Sequence, residues 1–404
     1  MRRVALVLLA FLACALLAWR VIATGVADRL AAGEPDAALA LDPHNVPAAL
    51  QVAQRQLADD DIAAARATTF DLLRREPLAG DGLVLLAKAA EAGGDATAAA
   101  DLFPVAVRRA PRSLYARAWT VDSLLRKGAY ADAFAQFDVL AAVAPGQAQK
   151  FFPLFIHLAD DPGFVPALTT ALGGKAAWAD SILAALLQTG SHDAVDRVFG
   201  DLQRNGAIGG ENFNRWLERL MREGAWGEAY SRWASSLSPP QSRLPLLFNG
   251  GFESELSGRG FDWRVRSTAG VSVERVPTPG MAGAYAAQVT FSGRRVPEIN
   301  FEQRLLLAPG DYSLEFRARA QALRSDKGLQ WAILCEDRGS PVATSGLLEG
   351  TFAWKPLETP FTVPAADCGW QRLSLLNPGA AAAGKEVVGT IWFDNMAIHR
   401  APQG

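Results

Sequence analysis

The sequence predicts a multidomain chain of the α plus all-β class: an apolar N-terminal segment, an array of stacked helical hairpins, and a C-terminal β-sandwich. Three observations lead to this fold class. Sixteen residues without a charge, Val4–Trp19, follow Arg2 and Arg3. Four prolines then recur every 34 residues in a half that is rich in Ala and Leu. From Leu246 onward, short runs of alternating polar and apolar residues replace the helical pattern.

Length and charge limit the possible functions. A chain of 404 residues is long enough for two or three domains, each with its own core. Lys and Arg total 40 and Asp and Glu total 42, so the net charge of −2 provides no general attraction to nucleic acid. We therefore expect no nucleic-acid partner. An apolar fraction of 50% is also too high for a disordered chain.

The N-terminal segment, residues 1–27, is predicted to be a signal anchor that crosses a membrane once. A bilayer span needs roughly 20 apolar residues, and the apolar run resumes after Arg20, whose charge can reach the interface. The preceding basic pair keeps the N-terminus cytoplasmic. We therefore expect a bacterial inner-membrane protein with most of its chain in the periplasm. Two alternatives stay open: signal-peptide cleavage near Ala23–Gly25, with secretion to the periplasm, and lipidation of Cys14.

The helical half, residues 28–238, contains an internal repeat. A fixed period of 34 residues is typical of stacked helical hairpins. Glycines also recur in the turns, small residues at one position and rings at another. The recurring residues are Pro43, Pro77, Pro111 and Pro145; Gly94 and Gly128; Ala65, Ala99 and Ala133; and Phe103 and Phe137.

These recurring positions resemble the tetratricopeptide repeat (TPR). Three units match, Val46–Pro77, Gly80–Pro111 and Leu114–Pro145, although all of them lack the usual aromatic residue early in the first helix. The resemblance implies a concave surface that binds a protein partner; the alternative is a spacer or scaffold. Beyond Pro145 the period fails, and further helices are predicted at Ala176–Gln188, His192–Asn205, Glu211–Glu223 and Trp226–Ser236.

The strand half, residues 244–404, follows a linker at Ser238-Pro239-Pro240 that no helix can cross. Tyr312–Arg319 alternates most clearly between inward apolar and outward polar residues. About ten short strands without helices predict a β-sandwich. The other predicted runs are Val271–Val276, Ala286–Phe291, Phe301–Leu307, Leu329–Cys335, Leu357–Val363, Trp370–Leu376 and Gly389–His399.

The two ends of this half resemble jelly-roll carbohydrate-binding modules. The resemblance lies in Asn249–Glu253 with Gly260–Trp263, and in the closing run Ile391–Ile398. It implies that Leu246–Trp263 forms a first strand that pairs with the last one. It also implies a structural calcium held by Glu253 and Asp394 with nearby carbonyls. The alternative is that both carboxylates only cap strand ends, and no other cofactor is expected.

Glycan binding of this kind needs aromatic rings for stacking and polar side chains for hydroxyl groups. A tryptophan in a strand can equally belong to the core, as the alternation of Trp331 with Leu329 and Ile333 indicates, and Trp263 fits the sandwich end. Of the tryptophans in this half, Trp354 is expected to be the most exposed. The candidate glycan-binding residues are Trp354, Trp263, Trp331, Arg317 and Arg319.

Two cysteines lie outside the N-terminal segment. Cys335 and Cys368 form an even pair in an oxidising compartment, so a disulfide is predicted. The alternative is a pair of buried thiols.

No catalytic motif emerges from the sequence. The histidines His44, His157, His192 and His399 have no metal-ligand spacing, and no GxSxG elbow is present. We therefore expect a non-catalytic envelope protein whose repeats bind a protein partner and whose sandwich engages glycan, in assembly or export of a cell-surface polysaccharide. The alternatives are a purely structural scaffold or chaperone for envelope proteins and, less favoured, a polysaccharide hydrolase.

Overall fold

The chain folds into two compact units, residues 1–208 and 209–404. The computed structural model describes residues 2–174, 176–237, 244–278, 283–336, 340–381 and 386–401, with side chains from residue 11 onward except at 340, 380 and 381. A helical half precedes a two-sheet β-sandwich, which confirms the predicted fold class. The predicted linker Ser238-Pro239-Pro240 lies outside the described residues.

The described part of the first unit is helical. A short 3₁₀ turn, Gln149–Phe151, joins α9 to α10. The helices are α1 Arg2–Leu30, α2 Pro35–Leu41, α3 Val46–Ala58, α4 Ile62–Arg75, α5 Gly80–Ala92, α6 Ala96–Arg109, α7 Leu114–Arg126, α8 Tyr130–Val143, α9 Pro145–Ala148, α10 Phe152–Leu158, α11 Val165–Gly173, α12 Ala179–Thr189 and α13 His192–Arg204.

The 34-residue period of the sequence is also the period of the helices. The first helices of the three pairs, α3, α5 and α7, have 13 residues each. The second helices, α4, α6 and α8, have 14 each. Asp61 and Asp95 cap α4 and α6 by accepting from the amides of Ala64 and Ala98. The three predicted hairpin units are therefore confirmed as repeated structures.

The recurring residues explain how the pairs pack. Gly94 and Gly128 adopt the left-handed φ of 77° and 71° between paired helices, and Asp60 takes this position in the first pair with φ 61°. The alanines at the shared position are buried, which lets neighbouring helices approach closely. Phe103 and Phe137 are fully buried between helices.

Helix α1 combines an apolar N-terminal part with a packed C-terminal part. Its residues Phe11–Leu30 are long and apolar enough to cross a membrane. Near the C-terminal end, Ala23, Ala27 and Ala31 follow one another at four-residue spacing and are buried. Ala27 and Ala31 share a core cluster with alanines of α2 and α3. The C-terminal end of α1, with Ala31 just after it, therefore shares a core with α2 and α3, and these two helices are called the first hairpin.

A polar contact reinforces this packing. The Asn45 side chain caps α3 by accepting from the Ala48 amide at 2.9 Å, and its Nδ2 donates to Asp28 Oδ1 of α1 at 2.7 Å. Since Asn45 is almost completely buried, the hydrogen bond fixes α1 against the start of α3.

Enlarging the buried alanine is expected to loosen the first hairpin. Ala27→Leu adds volume where no space is left, and overpacking costs about 1–3 kcal/mol. We expect amide hydrogen exchange of α2 and α3 to accelerate about tenfold in the full-length protein in detergent.

Ala15→Leu makes the same change at an exposed position of the same helix and should leave this exchange unaltered. Equal exchange in the two variants would show that α1 does not support the array. The intact mass of the same preparations shows whether the residues before Gly25 are retained.

The second unit contains two helices and ten strands in its described part. A short 3₁₀ turn, Pro378–Ala381, precedes the last strand. The elements are α14 Gly210–Arg222, α15 Trp226–Ser235, β1 Arg264–Val265, β2 Val271–Pro277, β3 Tyr285–Arg295, β4 Phe301–Leu305, β5 Gly310–Arg324, β6 Gln330–Cys335, β7 Ser340–Thr344, β8 Gly350–Val363, β9 Gln371–Leu376 and β10 Glu386–Arg400.

The strands form two five-stranded sheets. The first sheet has the order β1-β4-β9-β6-β7 and the second β2-β3-β10-β5-β8, with antiparallel neighbours throughout. Strands β1 and β7 were not predicted. The prediction that Leu246–Trp263 forms a first strand is wrong, because this segment consists of turns and bends. Its backbone meets β10 through a hydrogen bond from Met396 N to Gly250 O, at 2.9 Å.

Apolar side chains from both sheets fill the space between them. Trp263 and Trp331 are completely buried at its centre, with ring centroids 5.7 Å apart, and Phe301 packs against both. The predicted disulfide is confirmed: Cys335 of β6 is bonded to Cys368, which precedes β9. The bond links two regions 33 residues apart in the chain, which limits the freedom of the unfolded state.

Helices α14 and α15 pack against the first sheet. Glu218 of α14 forms ion pairs with Arg264 of β1 at 3.0 Å and with Arg304 of β4 at 2.8 Å. Burial alone would raise the pKa of Glu218, but the two guanidinium groups hold that pKa below its ordinary value. Trp226 of α15 stacks on Trp370 with centroids 4.0 Å apart. These two helices therefore belong to the same compact unit as the strands.

Removing the Glu218 charge is expected to weaken this helix–sheet contact. Glu218→Gln leaves two guanidinium groups without their carboxylate, and we expect a loss of about 1–2 kcal/mol, less than for a fully buried pair. Because the folded pKa is depressed, the stabilisation is fully present above the ordinary carboxyl pKa of about 4.3 and is lost as the pH falls from there through the lower folded pKa. Hydrogen exchange of the α14 amides at pH 7 measures the effect.

Glu211→Gln is the matched control, because its ion pair with Arg215 on the same helix is exposed to solvent. An equal response of the two variants at pH 7 would contradict the assigned role of Glu218.

Candidate functional site

The outward face of the second sheet combines an aromatic ring with polar side chains. Strand register places Gln288 of β3, Trp392 of β10 and Arg319 of β5 side by side in one row. Ile391 and Phe393 on either side of Trp392 are fully buried in the core. Because side chains alternate along a strand, Trp392 points away from the core.

Hydrogen bonds orient the Trp392 ring. Its Nε1 donates to Gln288 Oε1 at 2.9 Å, and Gln288 Nε2 donates to Thr290 Oγ1 at 3.1 Å. At the edge of the row, Glu274 of β2 lies opposite Gln288 and accepts from the Ser272 hydroxyl at 2.6 Å. The ring is partly exposed, with the Gln288 amide beside it, the Thr290 hydroxyl behind that amide, and the Glu274 carboxylate one strand further away.

Arg319 lies on the other side of the tryptophan. Its guanidinium carbon is 4.9 Å from the Trp392 ring centroid, within the range of a cation–π contact. The β5–β8 register shifts at this point and leaves Ala353 and the partly exposed Trp354 opposite Arg319. Two of the predicted glycan-binding residues, Arg319 and Trp354, are therefore in the Trp392 row, and their role stays a prediction.

The structure corrects two other candidates. Trp263 and Trp331 are completely buried, so neither ring offers a face to a ligand. Trp263 also uses its indole N–H to donate to the Asn249 carbonyl at 3.0 Å. Both belong to the aromatic core, as the alternative interpretation of the sequence allowed.

Arg317 and Asp394 occupy the next row of the same face. They lie opposite each other on β5 and β10, so the Arg317 charge faces a carboxylate. Asp394 is completely buried; its Oδ1 accepts from the Asn395 amide, and its Oδ2 has no hydrogen-bond partner in the part of the chain that the structure describes.

The loop before the first strand brings Glu253 to this region. Gly250 approaches β10 so closely that a Cβ there would lie 1.8 Å from the Met396 carbonyl oxygen, so only glycine fits. Beyond it, Glu253 Oε1 accepts from the amides of Ala284 and Tyr285 at 2.8 and 3.1 Å. The Glu253 carboxylate is near enough to Asp394, its predicted partner in a metal site, to repel the charge of that carboxylate.

The pKa of Asp394 reflects this arrangement. Burial raises the pKa of Asp394 above its ordinary value, and the Glu253 carboxylate adds to the rise. The Asn395 amide and the Arg317 charge act in the opposite direction without cancelling it. An unpaired, buried carboxylate oxygen beside a second carboxylate is an arrangement that a proton or a cation would stabilise.

These residues fit a calcium ion only in part. Two carboxylates are suitable hard ligands, but calcium takes about six to eight oxygen atoms. The guanidinium of Arg275 already donates to the carbonyls of Phe252 and Glu253 at 2.7 and 2.9 Å. No group of three or more His, Cys, Asp or Glu side chains arranged for a metal occurs in the described residues. An ion here would depend on other carbonyls or water.

The helical unit has a second surface rich in functional groups, between α5 and α7. Glu91 of α5 accepts from the Tyr115 hydroxyl at 2.6 Å and from the Trp119 indole at 2.7 Å. Lys88 Nζ lies 3.9 Å from the Tyr115 ring centroid. Desolvation, with the hydrogen bond to Glu91, raises the pKa of Tyr115 to about 12. A groove of about 320 Å³, lined by Glu91 and Trp119 among others, opens beside this cluster.

The chain is similar to several solved structures, but the comparisons do not assign it to a protein family. No protein-family model and no curated protein matches the chain. Among solved structures, a family 4 carbohydrate-binding module is similar, with 16% identity, a TM-score of 0.30, and coverage of 38% of this chain and 99% of the other. A putative sugar-binding protein from Bacteroides thetaiotaomicron has 13% identity, a TM-score of 0.28, and coverage of 39% and 100%.

A helical structure is similar as well. A TPR protein described as having an unusual peptide-binding site has 13% identity, a TM-score of 0.31, and coverage of 50% of this chain and 89% of the other. The similar structures thus include both kinds of domain that the sequence resembles. At such TM-scores the likeness carries no information on function.

Trp392 is the central residue of this face, and it is missing from the residues that the sequence nominated. The signal was present, because Trp392 lies between two apolar residues in a clearly alternating strand. If Ile391 and Phe393 point into the core, the residue between them must point outward, because side chains alternate along a strand.

Proposed function

We propose that the β-sandwich binds a glycan through the outward face of its second sheet. The observation that carries the proposal is the position of Trp392 in the middle of a polar row. A pyranose ring presents an apolar C–H face to a tryptophan and hydroxyl groups at its edges. Gln288, Thr290 and Arg319 supply hydrogen-bonding groups around such a ring.

We further propose that the protein is not an enzyme. A glycosidase needs two carboxyl groups on either side of the scissile bond. On this face Glu253 lies near Asp394, which is completely buried, and Glu315 lies opposite Glu358, beyond Arg317 and away from the Trp392 ring. Release of reducing sugar by the pure protein would support the hydrolase alternative instead.

For the helical unit, we propose that the repeats bind an envelope protein and that α1 anchors the chain in the bacterial inner membrane, with the bulk in the periplasm. The groove beside Glu91 and Trp119 offers charged and aromatic groups to a peptide. The apolar length of α1 supports the anchor, and burial of Ala23 and Ala27 favours retention over cleavage near Ala23–Gly25.

The setting we propose is assembly or export of a cell-surface polysaccharide. An anchored chain that holds both a protein partner and a glycan would keep a growing polymer beside its machinery. A scaffold or chaperone without a sugar site is the competing function, and it predicts no polysaccharide binding.

We also propose that Glu253 and Asp394 would hold a structural calcium ion, together with other carbonyls or water. The unpartnered Oδ2 of Asp394 supports an additional group at this position. The ion would offset the repulsion between the two carboxylates and hold the Asn249–Glu253 loop against β10.

Removal of the ring is expected to abolish most glycan binding. The test is affinity electrophoresis of the full-length protein in detergent, in gels that contain xylan, β-1,4-galactan or polygalacturonate. For a polymer that retards the natural protein, Trp392→Ala should weaken binding about 30-fold, because truncating a central aromatic residue typically costs about 2 kcal/mol.

Trp392→Phe keeps an aromatic face and should retain part of the affinity, which separates stacking from misfolding. Trp354→Ala tests whether the site extends to β8. Failure of every polymer to retard the natural protein, or unchanged binding by Trp392→Ala, would favour the scaffold.

Calcium is expected to stabilise the second unit through Asp394. At one hundred times its Kd, calcium would add about 2.7 kcal/mol, and Asp394→Asn should lose this response. Without calcium, the raised pKa of Asp394 means that stability falls as the pH rises from the ordinary carboxyl pKa of about 3.9. Asp394→Asn should therefore be the more stable protein at pH 7 in EDTA.

Thermal unfolding with calcium and with EDTA measures both effects. The matched control is Asp367→Asn, an acidic residue in a turn before β9. A calcium response that persists in Asp394→Asn would place the ion elsewhere, and no response in the natural protein would remove the calcium proposal while leaving glycan binding open.

A further inference from the structure

Three arginines follow one another along the outward face of β5. Arg317 and Arg319 alternate with the buried Phe316, Ala318 and Ala320. Arg324 returns to the same face because the register shifts near Ala322, which has φ 50°, and Leu323 is buried. These residues, Arg317, Arg319 and Arg324, are called the β5 arginines.

Two of the β5 arginines have no acidic partner among the described residues. Arg317 is compensated by Asp394 across the strand pair. Arg324 lies opposite Val388 and is exposed. Arg319 is also exposed, and its neighbour across the strand pair is Trp392. Positive charge is therefore uncompensated directly beside the tryptophan.

The acidic groups of this face lie elsewhere. Glu274 is at the far edge of the row, beyond Gln288, and it accepts a hydrogen bond from Ser272. At the opposite end, Glu315 faces Glu358 across β5 and β8, and His399 lies 4.0 Å from Glu315. Glu386 opens β10, two residues before Val388. Arg319 is thus the charged group directly beside the ring, whereas the described carboxylates of this face lie at the β2 edge, at the start of β10, and from Asp394 towards Glu315 and Glu358.

We propose that the glycan held by this face is acidic, and that a uronic acid carboxylate pairs with Arg319 while the same sugar ring stacks on Trp392. This inference rests on the proposed glycan-binding function. A guanidinium forms two parallel, charge-assisted hydrogen bonds with a planar carboxylate, whereas the hydroxyl groups of a neutral sugar accept only the weaker, uncharged kind. Arg324, five residues further along β5, provides a second positive charge for a more distant acidic residue of the polymer.

The test compares one acidic polymer with its own neutral derivative. Polygalacturonate and the galactan obtained from it by carboxyl reduction have the same linkage and differ only in the carboxylate. We expect the full-length protein in detergent to bind polygalacturonate at least about tenfold more tightly at low salt, and sodium chloride should reduce this preference.

Variants assign the preference to one residue. Arg319→Gln should bring the affinity for polygalacturonate down to that for the reduced polymer. Arg319→Lys keeps the charge without the two parallel donors and should retain a smaller, salt-sensitive preference. Arg66→Gln removes the same charge from an exposed position of the helical unit and should change neither affinity.

The outcomes separate this inference from the function on which it rests. Equal binding of both polymers, both lost in Trp392→Ala, would leave the glycan function standing and overturn the acidic preference. A preference that survives in Arg319→Gln would also overturn it. If the natural protein binds neither polymer nor any of the neutral glycans, the glycan function itself fails.

Discussion

The alternation of side chains along β10 is the constraint on which the second unit depends. Ile391 and Phe393 enter the core, while Trp392 and Asp394 face away from it. Because β10 is the central strand of its sheet, its outward residues have neighbours on both sides. One strand thus supplies core, aromatic ring and buried carboxylate, and a one-residue slip would exchange all of them.

Sequence reasoning succeeded where the determining interactions are local. The helix pairs could be located because capping residues such as Asp61 and Asp95, turn glycines, and buried alanines repeat in phase with the helices. Single strands could also be located from local signals, because the alternation of polar and apolar residues is visible within six or seven residues. The disulfide followed from the presence of a single remaining pair of cysteines.

The rest depends on contacts between distant parts of the chain. As tryptophans, Trp263 and Trp331 could stack on a sugar. In the fold, however, both rings pack against Phe301 in the core, and this contact cannot be seen in the sequence. The segment before Trp263 was wrongly expected to be a strand, because its close approach to β10 is made by a turn around Gly250. The Trp392 row itself exists only through the pairing of β3, β10 and β5.

The packing of α1 has a mechanical consequence. The helix is 29 residues long, about 43 Å, whereas the hydrocarbon core of a bilayer is about 30 Å thick. Among the side chains that the structure describes, from Phe11 onward, the first buried one is Ala23, directly after the exposed Ile22. In the proposed anchoring arrangement, the membrane-crossing part of α1 and its packed part belong to one continuous helix. Any tilt of the helix in the lipid would be transmitted directly to the first hairpin, so the thickness of the membrane would help to set the orientation of the repeats.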